Sequence, residues 1–165
     1  MDNCTPSRID RHVRELLLKL GSPGAPQYVP VIPESYAKVN ECLEAVSEKI
    51  RRADGDIAFG WCIWKTPLMT EAEFHAVWKS PSGELIDATP KEPPEERILF
   101  VGHGRNLWLD AANVDNVRIN NTGSPIVDDL ILVNEAIFAI ANRGDLCQHQ
   151  SRGRLSRNHS LSDRA

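Results

Sequence analysis

The amino-acid sequence predicts an α+β fold. Two stretches with helical spacing open the chain, alternating aromatic and β-branched segments separated by turns fill its middle, and a third helical stretch follows. In the first, Ile9, Val13, Leu16, Leu17 and Leu20 recur at helical intervals, with Thr5-Pro6 or Ser7 as the expected cap and Gly21 as the stop. The spacing therefore predicts a packing helix over 8–20. "GSPGAPQYVPVIPES" carries four prolines and two glycines, so it reads as loop with a short extended piece around Tyr28 to Ile32. "YAKVNECLEAVSEKIRR" then puts Val39, Cys42, Leu43, Val46 and Ile50 on one face, predicting a second helix from about Tyr36 to Arg52 with Cys42 near its start.

After Asp54-Gly55, "DIAFGWCIWK", "EAEFHAVWK" and "ELIDAT" read as three successive antiparallel strands, the last two joined by a Ser-Pro-Ser-Gly turn. "RILFVG" predicts a further strand, and "NLWLDAANVDNVRI" one or two short pieces. Ser124-Pro125 supplies a cap and first-turn proline for a third helix to about Asn142, with Gly144 as its stop. A single domain over 1–144 is expected. Residues 145–165 are polar and without period, which predicts a disordered tail.

With 165 residues, 41% of them hydrophobic, and a net charge of -4, the chain has no bulk electrostatic signal for nucleic acid or membrane. No apolar run reaches the roughly 18 residues of a membrane-spanning helix, and no signal peptide pattern opens the chain, so a cytoplasmic location is expected. The arginines Arg152, Arg154, Arg157 and Arg164 read as a solvated tail. Cys4, Cys42, Cys62 and Cys147 are far apart without a CxxC pair, which predicts reduced thiols.

Those thiols direct attention to "HAVWKSPSGELIDATP". A turn at 80–83 would set His75 and Asp87 roughly opposite one another, on the face that His75 shares with Glu73 and Val77. An aspartate bonded to an imidazole fixes its tautomer and supports its charged form. A half-buried strand histidine beside a turn-capping aspartate is the plainer reading of the same pair. Cys42 adds a third member, because a helix N-terminus favours thiolate through its dipole and free amides; a small buried apolar residue is the alternative there. Cys62, inside a strand, is a rival nucleophile without helix dipole or oxyanion donors. A metal would have to draw on Cys62, His75 and Asp87 or His103, or on Cys147 with His149, and no familiar zinc spacing is present. His103, flanked by glycines in "VGHGRN", reads as a loop residue.

The ordered set of cysteine on a helix, histidine on a strand and aspartate on the next strand resembles the transglutaminase-like branch of the papain-like cysteine enzymes. "CLEAVSEKIRRADGDIAFGW" is similar to that family's helix and glycine-bearing strand, and "HAVWKSPSGELIDATP" to its H-x-x-W, turn, Asp-x-Thr-Pro pattern. "GWCIW" with "EAEFHAVW" also resembles uncharacterised bacterial proteins. The resemblance spans about residues 36 to 90, and "NECLEA" stands where the family often has Cys-Trp. It implies a papain-like core, an antiparallel sheet packed on the cysteine's helix. It also implies Cys42 as nucleophile, His75 as general base and then acid, Asp87 as orienter, a thioester intermediate, and a peptide or protein amide as substrate, with no cofactor. Asn40 and Tyr36 are the nearest polar candidates for the family's oxyanion helper, and Trp61 and Trp78 are candidate walls of the substrate cleft. The alternative expectation is a non-catalytic module that retains the core and holds a peptide in an aromatic groove.

Overall fold

A computed structural model describes residues 3–21, 24–103 and 114–142. The elements are α1 (Arg11–Leu20), β1 (Pro26–Pro30), α2 (Cys42–Ala53), β2 (Asp56–Lys65), β3 (Met69–Lys79), β4 (Leu85–Ile86), β5 (Arg97–Gly102), β6 (Val117–Asn120) and α3 (Pro125–Ala141). They form an α+β fold, with an antiparallel sheet in the order β1-β5-β2-β3-β4 and β6 also pairing with β3. The expected tail and Gly144 lie outside the described residues, as does most of the segment before β6.

The long hairpin β2-β3 is the backbone of the sheet, paired from Asp56↔Lys79 to Lys65↔Thr70. Because paired residues point to the same side, Phe59, Trp61 and Ile63 share one face with Ala72, Phe74, Ala76 and Trp78. Both N-terminal helices cover that face. Val13 and Leu16 of α1 pack on Trp61, Ile63, Leu99 and Val101, while Val46 of α2 packs on Phe59, Ala76 and Trp78. Val13, Leu16 and Val46 are fully buried, and each such side chain contributes about 1.5–3 kcal/mol, an upper figure for a real unfolded chain. The opposite face gathers Val29, Cys62, Val77, Ile98 and Phe100 into a separate core. Gly60 is required between the two: a Cβ there would lie 2.3 Å from the Val101 carbonyl oxygen and 2.4 Å from the Phe100 ring.

The two ends of the sheet are joined. Val31, just past β1, bridges Asp87, just past β4, in parallel; the Asp87 N–H donates to Pro30 O and the Ile32 N–H to Asp87 O, both at 2.9 Å. The sheet thus curls into a ring around the Phe100 core.

Several boundaries differ from the expectation. The cap of α1 is Asp10 and not Thr5 or Ser7, because its carboxylate accepts from the amides of His12 and Val13 and pairs with Lys65. The second helix begins at Cys42 and not near Tyr36. Asn40 takes a left-handed φ of 64°, which asparagine tolerates better than most residues and which stops a helix extending upstream. The "ELIDAT" strand shrinks to Leu85–Ile86, since Asp87 leaves β3 to bridge Val31.

Candidate functional site

The site forms where the sheet leaves an opening. β6 pairs with 69–72 of β3 and β4 pairs with 78–79, so 73–77 face no strand on that side. The N-terminus of α2 comes to this opening and brings Cys42, the first helical residue, beside His75 and the Ala76 amide. No side chain caps that helix terminus, so the first-turn amides remain free to act on a negative charge.

His75 and Asp87 meet, Nε2 to Oδ2 at 2.9 Å, both buried. They are not directly opposite, however. The observed register pairs Lys79 with Leu85 and Trp78 with Ile86, and its continuation places Asp87 across from Val77. The expected pairing is therefore displaced by two residues. A shift of two preserves the face whereas a shift of one inverts it, so Asp87 still reaches the imidazole diagonally. Its other oxygen, Oδ1, accepts the Thr89 amide at 2.9 Å and is fixed by its own turn.

With Nε2 held by Asp87, Nδ1 is the ring nitrogen left for the thiol. Burial works against charge on His75, but the Asp87 carboxylate and the hydrogen bond with Cys42 overcome it and raise its pKa to about 9. Burial likewise raises the Cys42 thiol; the His75 hydrogen bond and charge, with the Ala76 amide and Lys91, more than reverse this and hold it below the ordinary thiol value. Asp87, also penalised by burial, is brought down to about 2 by His75 and Lys91. All three directions favour thiolate, imidazolium and carboxylate together. Cys62 is the opposite case: burial pushes its thiol well above the ordinary range, and it is fully enclosed in the ring core.

Lys91 was not anticipated from sequence. Its Nζ lies 2.6 Å from Asp87 Oδ2 and 3.2 Å from His75 Nε2, and its side chain is 9% exposed. Lysine and imidazole thus share one carboxylate oxygen. The ammonium neutralises part of the Asp87 charge and opposes the imidazolium. The only sequence signal is its position four residues after Asp87, on the far side of the Thr89-Pro90 turn that folds it back.

A cleft of about 370 Å³ opens beside the group, lined among others by Asn40, Cys42, Trp64, Glu73, His75 and Lys91. Asn40 lines this cleft. Trp61 and Trp78 do not line this cleft: Trp61 is packed under α1 and Trp78 against α2, with its Nε1 donating to Asp54 O at 2.8 Å. The tryptophan at the cleft is Trp64, held by Glu73 at 2.6 Å. Among the described residues no cluster of histidine, cysteine and carboxylate side chains is arranged for a metal; His103 packs edge-on against Trp61 and Phe74, and Cys147 and His149 lie outside the described residues. No described helix is long and apolar enough to cross a membrane. Comparison with known protein families, curated proteins and solved structures finds no match to the chain.

Proposed function

We propose that the protein is a papain-like, transglutaminase-like cysteine enzyme that acts on a peptide or protein amide through a thioester. The observation that carries this reading is the buried His75, bonded to Asp87 at 2.9 Å and set beside Cys42, the first residue of α2. The Cys42 thiolate attacks the amide carbonyl carbon, and the uncapped amides at the start of α2 hold the resulting oxyanion. The imidazolium gives its proton to the departing amine as the C–N bond breaks, leaving a neutral imidazole and an acyl-thioester on Cys42. His75 then takes a proton from water, whose oxygen displaces the sulfur and releases the acid. Asp87 keeps the ring oriented throughout, as in other triads.

Two measurements test the reading. Iodoacetamide should label Cys42 fastest of the cysteines, already well below pH 8.5, and His75→Ala should abolish that advantage. Turnover of a panel of peptide and side-chain amides should disappear in Cys42→Ala. Equal turnover in the two proteins would overturn the enzyme reading and leave the cleft as a binding groove.

A further inference from the structure

α3 is apolar nearly all round, yet only Val127 and Ile131 are buried. Ile126, Leu130, Val133, Ile137 and Ile140 are between 42% and 78% exposed. Their spacing is four, three, four, three, the repeat of a coiled-coil seam, and at 3.6 residues per turn they fall within an arc of about 80°. The seam points away from the face that α3 packs on its own chain, which is centred on Val127 and Ile131.

We propose that this seam is the interface of an antiparallel, two-fold homodimer in which α3 packs against α3 of a second copy. With the axis at Val133, Ile126 lies level with the partner's Ile140, and Leu130 falls within one residue, about 1.5 Å, of the partner's Ile137. Five side chains this exposed on one line leave on the order of 500 Å² of apolar surface, the upper end for a monomer, and twice that is about the minimum of a specific interface. The helix dipoles select the direction. The charged residues of α3 are Asp128, Asp129 and Glu135, all acidic. Parallel packing would align the two helix dipoles and set like ends side by side. Antiparallel packing opposes the dipoles. The same lack of lysine and arginine argues against an anionic membrane surface as occupant.

Sedimentation of the full chain between about 1 and 100 µM should show a dimer with a micromolar dissociation constant, the strength expected of a small interface. Ile137→Glu places a carboxylate against Leu130 twice per dimer and should weaken association at least about 100-fold, with far-UV circular dichroism unchanged because the position is exposed. Orientation is read by oxidising Ile126→Cys and Ile140→Cys proteins in a background with Cys4, Cys42 and Cys147 replaced by serine. A disulfide-linked dimer should form only when the two are mixed. A wild type monomeric at 100 µM, an Ile137→Glu protein that dimerises as before, or a cross-link in either cysteine variant alone would overturn the proposal. A monomer that binds neutral phosphatidylcholine vesicles would also overturn it and reassign the seam to lipid.

Discussion

Asp87→Asn preserves the shape of the side chain and removes its charge, at a position with 0% exposure. In the native protein the attraction lifts His75 from 6.5 to about 9 and lowers Asp87 from 3.8 to about 2. At about 1.4 kcal/mol per pKa unit each shift corresponds to roughly 2–3 kcal/mol. Both describe the same attraction from its two ends, and the neighbours differ: Cys42 also supports the imidazolium, Lys91 supports the carboxylate, and burial opposes charge on both. They are therefore not added, and about 2–3 kcal/mol is the scale of the pair. The substitution also strands the Lys91 ammonium without its counter-charge, which moves the cost toward the 3–5 kcal/mol typical of a broken buried pair. Urea denaturation at pH 7 should show a loss of about 3–4 kcal/mol. The His75 imidazole, followed by NMR, should titrate below its ordinary 6.5, since burial and Lys91 both act against its charge. A loss under 1 kcal/mol together with an unchanged His75 titration would refute the reasoning.

Lys91→Met should raise the His75 titration and move the Cys42 alkylation profile to higher pH, since the ammonium opposes the imidazolium and supports the thiolate; if neither profile moves, Lys91 does not tune the site. Stability against pH should carry the same signature. His75, raised in the folded state, contributes fully below pH 6.5 and loses that contribution as pH climbs to about 9, whereas Asp87, lowered, contributes above 3.8 and loses it as pH falls toward about 2. Urea midpoints in Cys42→Ala, where the thiol no longer titrates, should therefore decline between pH 6.5 and 9, and a rise over that range would contradict the assignment. Gly60→Ala should cost about 2–3 kcal/mol by overpacking, and Phe100→Ala should not rescue it, because the Val101 carbonyl still blocks the new methyl. Restored stability in that double variant would show the ring to be the only obstacle.

Much of the architecture follows from local chemistry legible in the sequence. Helical spacing located α1, α2 and α3, and Ser124-Pro125 marked the start of the last. Alternation located β2, β3 and β5 and assigned His75 to its face. What sequence could not specify depends on contacts between distant segments. Asp87 belongs to β4 by pattern, yet its backbone is claimed by Pro30 and Ile32, more than fifty residues away. Asp10 outcompetes Thr5 and Ser7 as a cap partly because Lys65 comes to it across the fold. The tryptophans show the limit of reasoning by residue type alone: Trp61 and Trp78 lie on the sheet face that α1 and α2 cover, whereas Trp64, on the face of His75 and Glu73, reaches the cleft. Lys91 reads as a surface lysine in a proline-rich turn until the turn is folded.

The bridge between Val31 and Asp87 makes one residue a member of two assemblies. Its peptide group fastens the sheet ends together, and its carboxylate orients His75. A molecule whose ring has sprung open at this point has lost the imidazole's anchor as well, even with every helix in place. The chemistry of Cys42 is in this sense a gauge of ring closure. Protection of the Asp87 and Ile32 amides from hydrogen exchange and the enhanced reactivity of Cys42 should vanish together, in one step.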